Sequence, residues 1–191
     1  NRVILIEGVD RLSGYDHRAV FDRNEAASWA SAALATDGEI FVGGARQPEM
    51  LTFLNVLRKV GGDFDIREEG ILFRRGGDLR PVTVETDVHP GFMTDWQQPL
   101  IVALTQAHGE SIVHETVYEN RFGFTDALVK MGADIIVHPH GLQGGPRRVP
   151  RRNLEQAAVI HGPTPLHGAD ITVPDLRGGY SHVIAALTAT G

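Results

Sequence analysis

Apolar residues recur along the chain in two helical rhythms. One is nearly continuous. AASWASAALA (26–35), QQPLIVALTQA (97–107) and SHVIAALTA (181–189) carry small or apolar residues on every side. A helix without a polar stripe belongs in an interior, so these segments predict buried helices. The other rhythm is spaced. Met50, Phe53, Leu54 and Leu57 form one set, and Phe124, Ala127, Leu128 and Met131 a second. Both predict helices with one apolar face. Between them EIFVGG, SIVHET, FDIREEGILFRR and DIIVHPH are rich in β-branched and aromatic residues and predict strands. PVTVETDVHP predicts an extended lead into the second buried helix, and VILIEGV, near the start, predicts a strand followed by a turn.

The pattern repeats. Residues 30–66 align with 101–137 at an offset of 71 without a gap. Gly38 then meets Gly109, Phe53 meets Phe124, Leu57 meets Leu128, Gly61 meets Gly132 and Asp63 meets Asp134. The only two lysines of the chain, Lys59 and Lys130, also coincide. A third copy starts near PDLRGGYSHVIAALTATG, where ALTATG (186–191) echoes ALATDG (33–38) at an offset of 153. Each copy reads helix, strand, helix, strand, strand. The glycine after each helix suits a left-handed C-terminal cap, which glycine adopts at least cost. The architecture expected is a pseudo-threefold α/β domain with helices inside and sheets outside, its third repeat incomplete.

Residues 138–160 break the pattern. HPHGLQGGPRRVPRRN is rich in Gly, Pro and Arg and reads as a loop insertion. Residues 1–20 precede the first copy and read as the tail of a preceding domain with its linker, leaving 21–191 as the main domain. Both ends read as cut, so a fragment is expected. The net charge is −6, which gives no bulk attraction to nucleic acid or to an anionic membrane. No apolar run reaches the ~18 residues that span a bilayer, and no signal peptide is visible. The absence of cysteine excludes disulfides and thiolate chemistry within the chain and agrees with a cytoplasmic location.

The repeat brings equivalent positions to equivalent places. Asn24, Asp95 and Arg177 stand at the start of the first helix in the three copies, with Asp22, Arg23 and Asp175 beside them. In a threefold arrangement those helix N-termini share one rim, which favours an anionic ligand. Asp95 is open to two interpretations. Aspartate is a preferred N-cap, and Pro99 fits a first helical turn, so the acid caps the helix or it does chemistry. His138 and His140, with His89, His108 and His114, lack a third ligand at a persuasive spacing, so no metal is expected. The arginines between 147 and 152 read as a solvated loop rather than a phosphate grip.

PGFMTDWQQPL followed by ETVYENRFGFTDALVKMGADI resembles the UDP-N-acetylglucosamine 1-carboxyvinyltransferase type of enolpyruvyl transferase. IEGVDRLSG, FDRNEA and VPDLRGGYSHVIAAL match the same family in order and spacing. The resemblance covers essentially the whole chain but only the C-terminal half of the family's enzyme. It implies an inside-out α/β barrel in two domains of three units each, closing on the substrates. It implies transfer of the enolpyruvyl group of phosphoenolpyruvate to the 3-hydroxyl of UDP-N-acetylglucosamine, with loss of phosphate, as the first committed step of peptidoglycan synthesis. By resemblance Asp95 is the base or the group that holds the hydroxyl. Val117 gives a backbone contact to the nucleotide sugar, and Glu119 and Arg121 shape the pocket. Asp175 and Arg177 lie near phosphoenolpyruvate, and Asp22 is a linker acid tied to function. Phe21 stands where the family has proline.

The resemblance implies no cofactor, a monomer, and a partner in the enzyme's own N-terminal domain, which carries the acid of the reaction. The chain alone is therefore expected to be inactive. Two rival expectations stand beside it: an enolpyruvyl transferase of secondary metabolism acting on another nucleotide, and a binding domain of the same fold without catalysis.

Overall fold

The computed structural model of the chain describes residues 3–139, 156–173 and 175–191. Copy one is built of α1 (Arg23–Ala35), β1 (Glu39–Gly43), α2 (Gln47–Val60), β2 (Gly62–Arg67) and β3 (Gly70–Arg75). A short strand, β4 (Thr83–Glu85), leads into copy two: α3 (Thr94–Leu104), β5 (Gly109–Glu115), α4 (Thr125–Lys130), β6 (Asp134–His138) and β7 (Gln156–Gly162). The third copy contributes α5 (Leu176–Thr188).

The three helices without a polar stripe, α1, α3 and α5, pack against one another at the centre. Ten of the eleven residues of α3 are buried. The sheets lie outside them. One has the order β1-β3-β2 and is antiparallel; the other has the order β4-β5-β7-β6, with β4 parallel to β5 and the rest antiparallel. This is the expected inside-out α/β arrangement, with helices within and sheets outside.

Strand register shows how faithful the repeat is. Glu39 and Asp63 both pair with Arg74; Glu110 and Asp134, 71 positions on, both pair with His161. Arg74 to His161 is 87 positions, so sixteen residues are inserted between β6 and β7 relative to copy one. The expected insertion at 138–160 is thereby trimmed at both ends. His138 closes β6 and residues 156–160 belong to β7, because AAVI supplies the apolar central strand that the repeat requires. Residues 140–155, with His140 and the arginine cluster, lie outside the described residues.

Three more expectations are corrected. VILIEGV forms no strand: residues 3–22 carry neither helix nor strand, Val3, Ile4, Leu5 and Ile6 are each at least 84% exposed, and no strand among the described residues pairs with them. Pro99 is the sixth residue of α3, not part of its first turn. A proline there removes the N–H that the Asp95 carbonyl would accept four residues earlier, and the buried packing of α3 carries the cost. After α1 it is Asp37 (φ 54°), not Gly38, that turns left-handed. Gly61 and Gly132 do turn left-handed, with φ of 109° and 102°. At Gly61 a Cβ would also lie 2.8 Å from the Asp78 carbonyl oxygen, so neither the angle nor the space suits another residue.

α4 has six residues where α2 has fourteen. Residues 117–124 form turns instead of the missing helical coils, with Asn120 left-handed at φ 53°. Phe124, Leu128 and Met131 still reach the core, while Ala127 is half-buried. The shortened helix leaves a turn at the mouth of the domain, and that turn carries Arg121.

Candidate active site

The repeat sets the helix starts in register. The N-caps are Asp22, Met93 and Asp175, and the second helical residues are Asn24, Asp95 and Arg177. Because α1, α3 and α5 converge, those three second residues meet. Asn24 Nδ2 lies 3.4 Å from Asp95 Oδ2, and Arg177 Nε lies 3.7 Å from the same oxygen. Arg121, from the turn before α4, donates to Asp95 Oδ1 at 2.7 Å. Arg177 also reaches Asp22, Nη1 to Oδ2 at 3.7 Å.

This geometry sets aside the capping interpretation of Asp95. Its oxygens meet side chains from the two other repeats and from the 117–124 turn. The residue capping α3 is Met93, which has no side chain able to cap. Asp22 and Asp175 are the true caps. Asp22 Oδ1 accepts from the Asn24 amide at 2.8 Å, and Asp175 Oδ1 accepts from the Arg177 and Gly178 amides, each at 2.8 Å. Both acids thus have a structural duty, and Asp22 keeps its second oxygen for Arg177.

The cluster is charge-balanced, with Asp22 and Asp95 against Arg121 and Arg177, and its central side chains are about three-quarters shielded from water. The Arg121 guanidinium lies over the Tyr118 ring at 5.0 Å, which fixes its plane. Two polar atoms are left over: among the described residues, Arg121 Nε and Asn24 Oδ1 are buried and have no hydrogen-bond partner. One is a donor and one an acceptor, so the site is polar and chemically incomplete. A ligand rich in hydroxyl and anionic oxygens supplies both kinds of partner.

Tyr180, one helical turn after Arg177, feels the charges of Glu25 and Asp22. Burial raises its phenol above the ordinary value, Glu25 and Asp22 raise it further, and Arg177 opposes them.

Of the other expected residues, Val117 sits half-buried in the turn beyond β5, its N–H held by Glu115 Oε1 at 2.7 Å. Glu119 is exposed, and among the described residues no hydrogen bond or ion pair joins it to the cluster. The sequence patterns alone passed over Glu115. The available signal was phase: in GESIVHE the inward positions are Ser111, Val113 and Glu115, so an acid falls where the strand alternation demands a buried residue.

Comparison with known proteins agrees with the geometry in two steps. The fold is that of enolpyruvyl transferases. The chain superposes on the crystal structure of the enolpyruvyl transferase NikO from Streptomyces tendae with a TM-score of 0.72, covering 89% of this chain and 37% of that one at 23% identity. On EPSP synthase from Acinetobacter baumannii the TM-score is 0.58 over 88% of this chain and 39% of that one at 18% identity.

The family follows from sequence. The model described as EPSP synthase (3-phosphoshikimate 1-carboxyvinyltransferase) matches residues 1–191, and the chain belongs to that family. Within it the chain is 52% identical to a UDP-N-acetylglucosamine 1-carboxyvinyltransferase of Protochlamydia amoebophila, over 99% of this chain and 41% of that protein. It is 46% identical to one of Chlamydia trachomatis serovar D, over 100% of this chain and 43% of that protein. It is 39% identical to one of Novosphingobium aromaticivorans, over 98% of this chain and 40% of that protein. The chain thus spans about two-fifths of the length of these relatives. Among the described residues no helix is long and apolar enough to cross a membrane.

Proposed function

We propose that the protein containing this chain transfers the enolpyruvyl group of phosphoenolpyruvate to the 3-hydroxyl of UDP-N-acetylglucosamine and releases phosphate. The observation that carries this is Asp95. It is a carboxylate drawn out of its capping role, set where three repeats meet, between two guanidinium groups. The identity with relatives named for this transfer supports the choice of acceptor.

In this function Asp95 accepts the proton of the sugar hydroxyl, or holds the hydroxyl in line. General-base help of this kind contributes typically ~10²–10⁴-fold. The hydroxyl oxygen bonds to the carbon of phosphoenolpyruvate that bears the phosphate, while an acid protonates the methylene carbon. Loss of that proton and departure of phosphate then restore the double bond. The Arg177 fork suits the carboxylate or phosphate of phosphoenolpyruvate, and Asp22 orients it. The Val117 backbone contacts the nucleotide sugar, Glu119 lies at its rim, and Asp175 presents Arg177 by capping α5. Residues 21–191 are the second domain of the enzyme, and residues 1–20 are the tail of the first with the linker. The reaction's acid is on the first domain, so closure of the two assembles the site and this chain alone is inactive. The enzyme acts in the cytoplasm as a monomer, needs no cofactor, and feeds peptidoglycan synthesis.

The test is phosphate release from phosphoenolpyruvate by the full-length protein, with and without UDP-N-acetylglucosamine, beside Asp95→Asn. Release that depends on the sugar and falls ~100-fold or more in the variant is expected. Release indifferent to the mutation removes Asp95 from the chemistry. No release with this sugar moves the function to another nucleotide or to binding alone.

A further inference from the structure

We infer that Glu115 is a positioning residue that holds Asp95 and the Val117 backbone in fixed relation; the inference deepens the proposed function and rests on it. Glu115 ends β5 with its side chain turned inward, and it is wholly buried. Burying a carboxylate is costly unless hydrogen bonds replace its water. Here four do. Oε2 accepts from Thr94 Oγ1 and from Gln97 Nε2, both at 2.7 Å. Oε1 accepts from the Val117 amide at 2.7 Å and the Tyr118 amide at 3.0 Å.

The division between the two oxygens is the point. One holds the first turn of α3, where Asp95 lies between Thr94 and Gln97. The other holds the turn that carries Val117 and leads to Arg121, the residue that meets Asp95 at 2.7 Å. A single rigid carboxyl thus sets the spacing between the reacting acid and the sugar-binding turn. It ties down the first turn of α3 through side chains alone, at a helix start where Met93 offers no side-chain cap. All four partners are donors, so the site demands an acceptor at both oxygens. An amide of the same shape would place an N–H₂ against two donors, whichever way it turned.

The inference is tested in the full-length protein with Thr94→Val, Thr94→Ser, Glu115→Gln and Thr105→Val, measuring melting temperature, kcat and KM for each substrate. Thr105 is the control. It is buried at the far end of α3, its hydroxyl donating to the Val102 carbonyl at 2.7 Å, remote from Asp95 in the helix. Thr94→Val and Glu115→Gln are expected to lower kcat at least ~10-fold, as small displacements of a reacting group do, and to raise KM for UDP-N-acetylglucosamine more than KM for phosphoenolpyruvate. Thr94→Ser, which keeps the hydroxyl, recovers most of the loss. Thr105→Val lowers the melting temperature and leaves the kinetics alone.

Should Glu115→Gln fail to fold, the Thr94 pair decides. An active wild type with a folded Thr94→Val of unchanged kcat and KM overturns the inference alone. So does a Thr94→Val loss that Thr105→Val reproduces. A wild type without sugar-dependent release overturns the proposed function, and this inference with it.

Discussion

Trp96 follows Asp95 directly and is wholly buried, so what grips its indole steadies the first turn of α3. The grip comes from copy one. Phe53 of α2 stacks near Phe92 at 6.2 Å between centroids and 24° between planes, and meets Trp96 edge-on at 5.6 Å and 66°. Its repeat equivalent, Phe124, is buried to the same degree, 3% exposed against 1%, but has no ring partner among the described residues. The molecule therefore contains its own control. Phe→Leu removes the same atoms at both positions and costs about 1–1.5 kcal/mol for the change of shape alone. At position 53 it also removes two aromatic pairs, each worth about 0.5–1.5 kcal/mol beyond area. The Phe92–Trp96 contact at 5.6 Å survives and limits the loss.

Phe53→Leu is thus expected to destabilise by about 1–2 kcal/mol more than Phe124→Leu. In a protein of this size that excess corresponds to a Tm lower by about 2–8 °C. Urea unfolding followed by far-UV circular dichroism, with equal m-values required of both variants, measures it. Tryptophan emission from Phe53→Leu should also shift, because the edge contact to the indole is gone. If Phe124→Leu costs as much as Phe53→Leu at equal m, the ring contacts contribute nothing specific, and the argument that copy one steadies the helix carrying Asp95 fails.

Tyr180 should titrate above the ordinary phenol value of 10.0; a tyrosinate absorbance titration with Tyr180→Phe as reference assigns its step. Because the folded phenol holds its proton more tightly than the unfolded one, its contribution is complete below the unfolded pKa of 10.0 and is lost as pH rises through the raised value, so Tyr180→Phe should lose less stability than wild type across that alkaline window. Asp175→Asn should preserve the cap on α5 and the melting temperature, since asparagine caps as well as aspartate, whereas Asp175→Ala should cost about 1 kcal/mol. A stable Asp175→Asn with weakened phosphoenolpyruvate binding places the charge in the site, and one with unaltered kinetics reduces Asp175 to a cap.

The elements that the sequence made legible are those whose cause is local or repeated. Unbroken apolar runs announced α1, α3 and α5 as interior helices, and the 71-residue offset carried the strand plan of copy one onto copy two. Where tertiary contact decides, local pattern failed. VILIEGV has the composition of a strand, but a strand needs a neighbour. Pro99 lies deep in a helix because burial of α3 outweighs its propensity. The spacing of Phe124, Ala127, Leu128 and Met131 placed α4 correctly, but the length of α2 in copy one did not carry over, and turns stand at 117–124. The site was legible in outline, since helix starts in a threefold repeat must converge. That Asp95 does not cap its helix was not, because the cap falls on residue 93 and the carboxylate is met by an arginine 26 positions away.

The symmetry of the fold also explains why the rim had to diverge. Three identical residues at the second helical position would stand face to face across the axis. Three aspartates would repel, by about 4 kcal/mol for each pair of charges 4 Å apart at the effective dielectric of a protein surface. Three arginines would fare no better. Asn24, Asp95 and Arg177 are instead one neutral, one acidic and one basic residue, and their mutual contacts are attractive. The caps obey the same constraint. Asp22 and Asp175 cap the helices whose second residues are neutral and basic, while the helix that bears the acid is capped by Met93, which adds no second carboxylate beside Asp95. The first turn of that helix is held from below by Glu115, whose charge four donors enclose away from the rim. A pseudo-threefold scaffold can place a single acid at the second helical position, clear of other carboxylates, only by breaking its own symmetry at the cap and at the second residue together, and this chain breaks it at both.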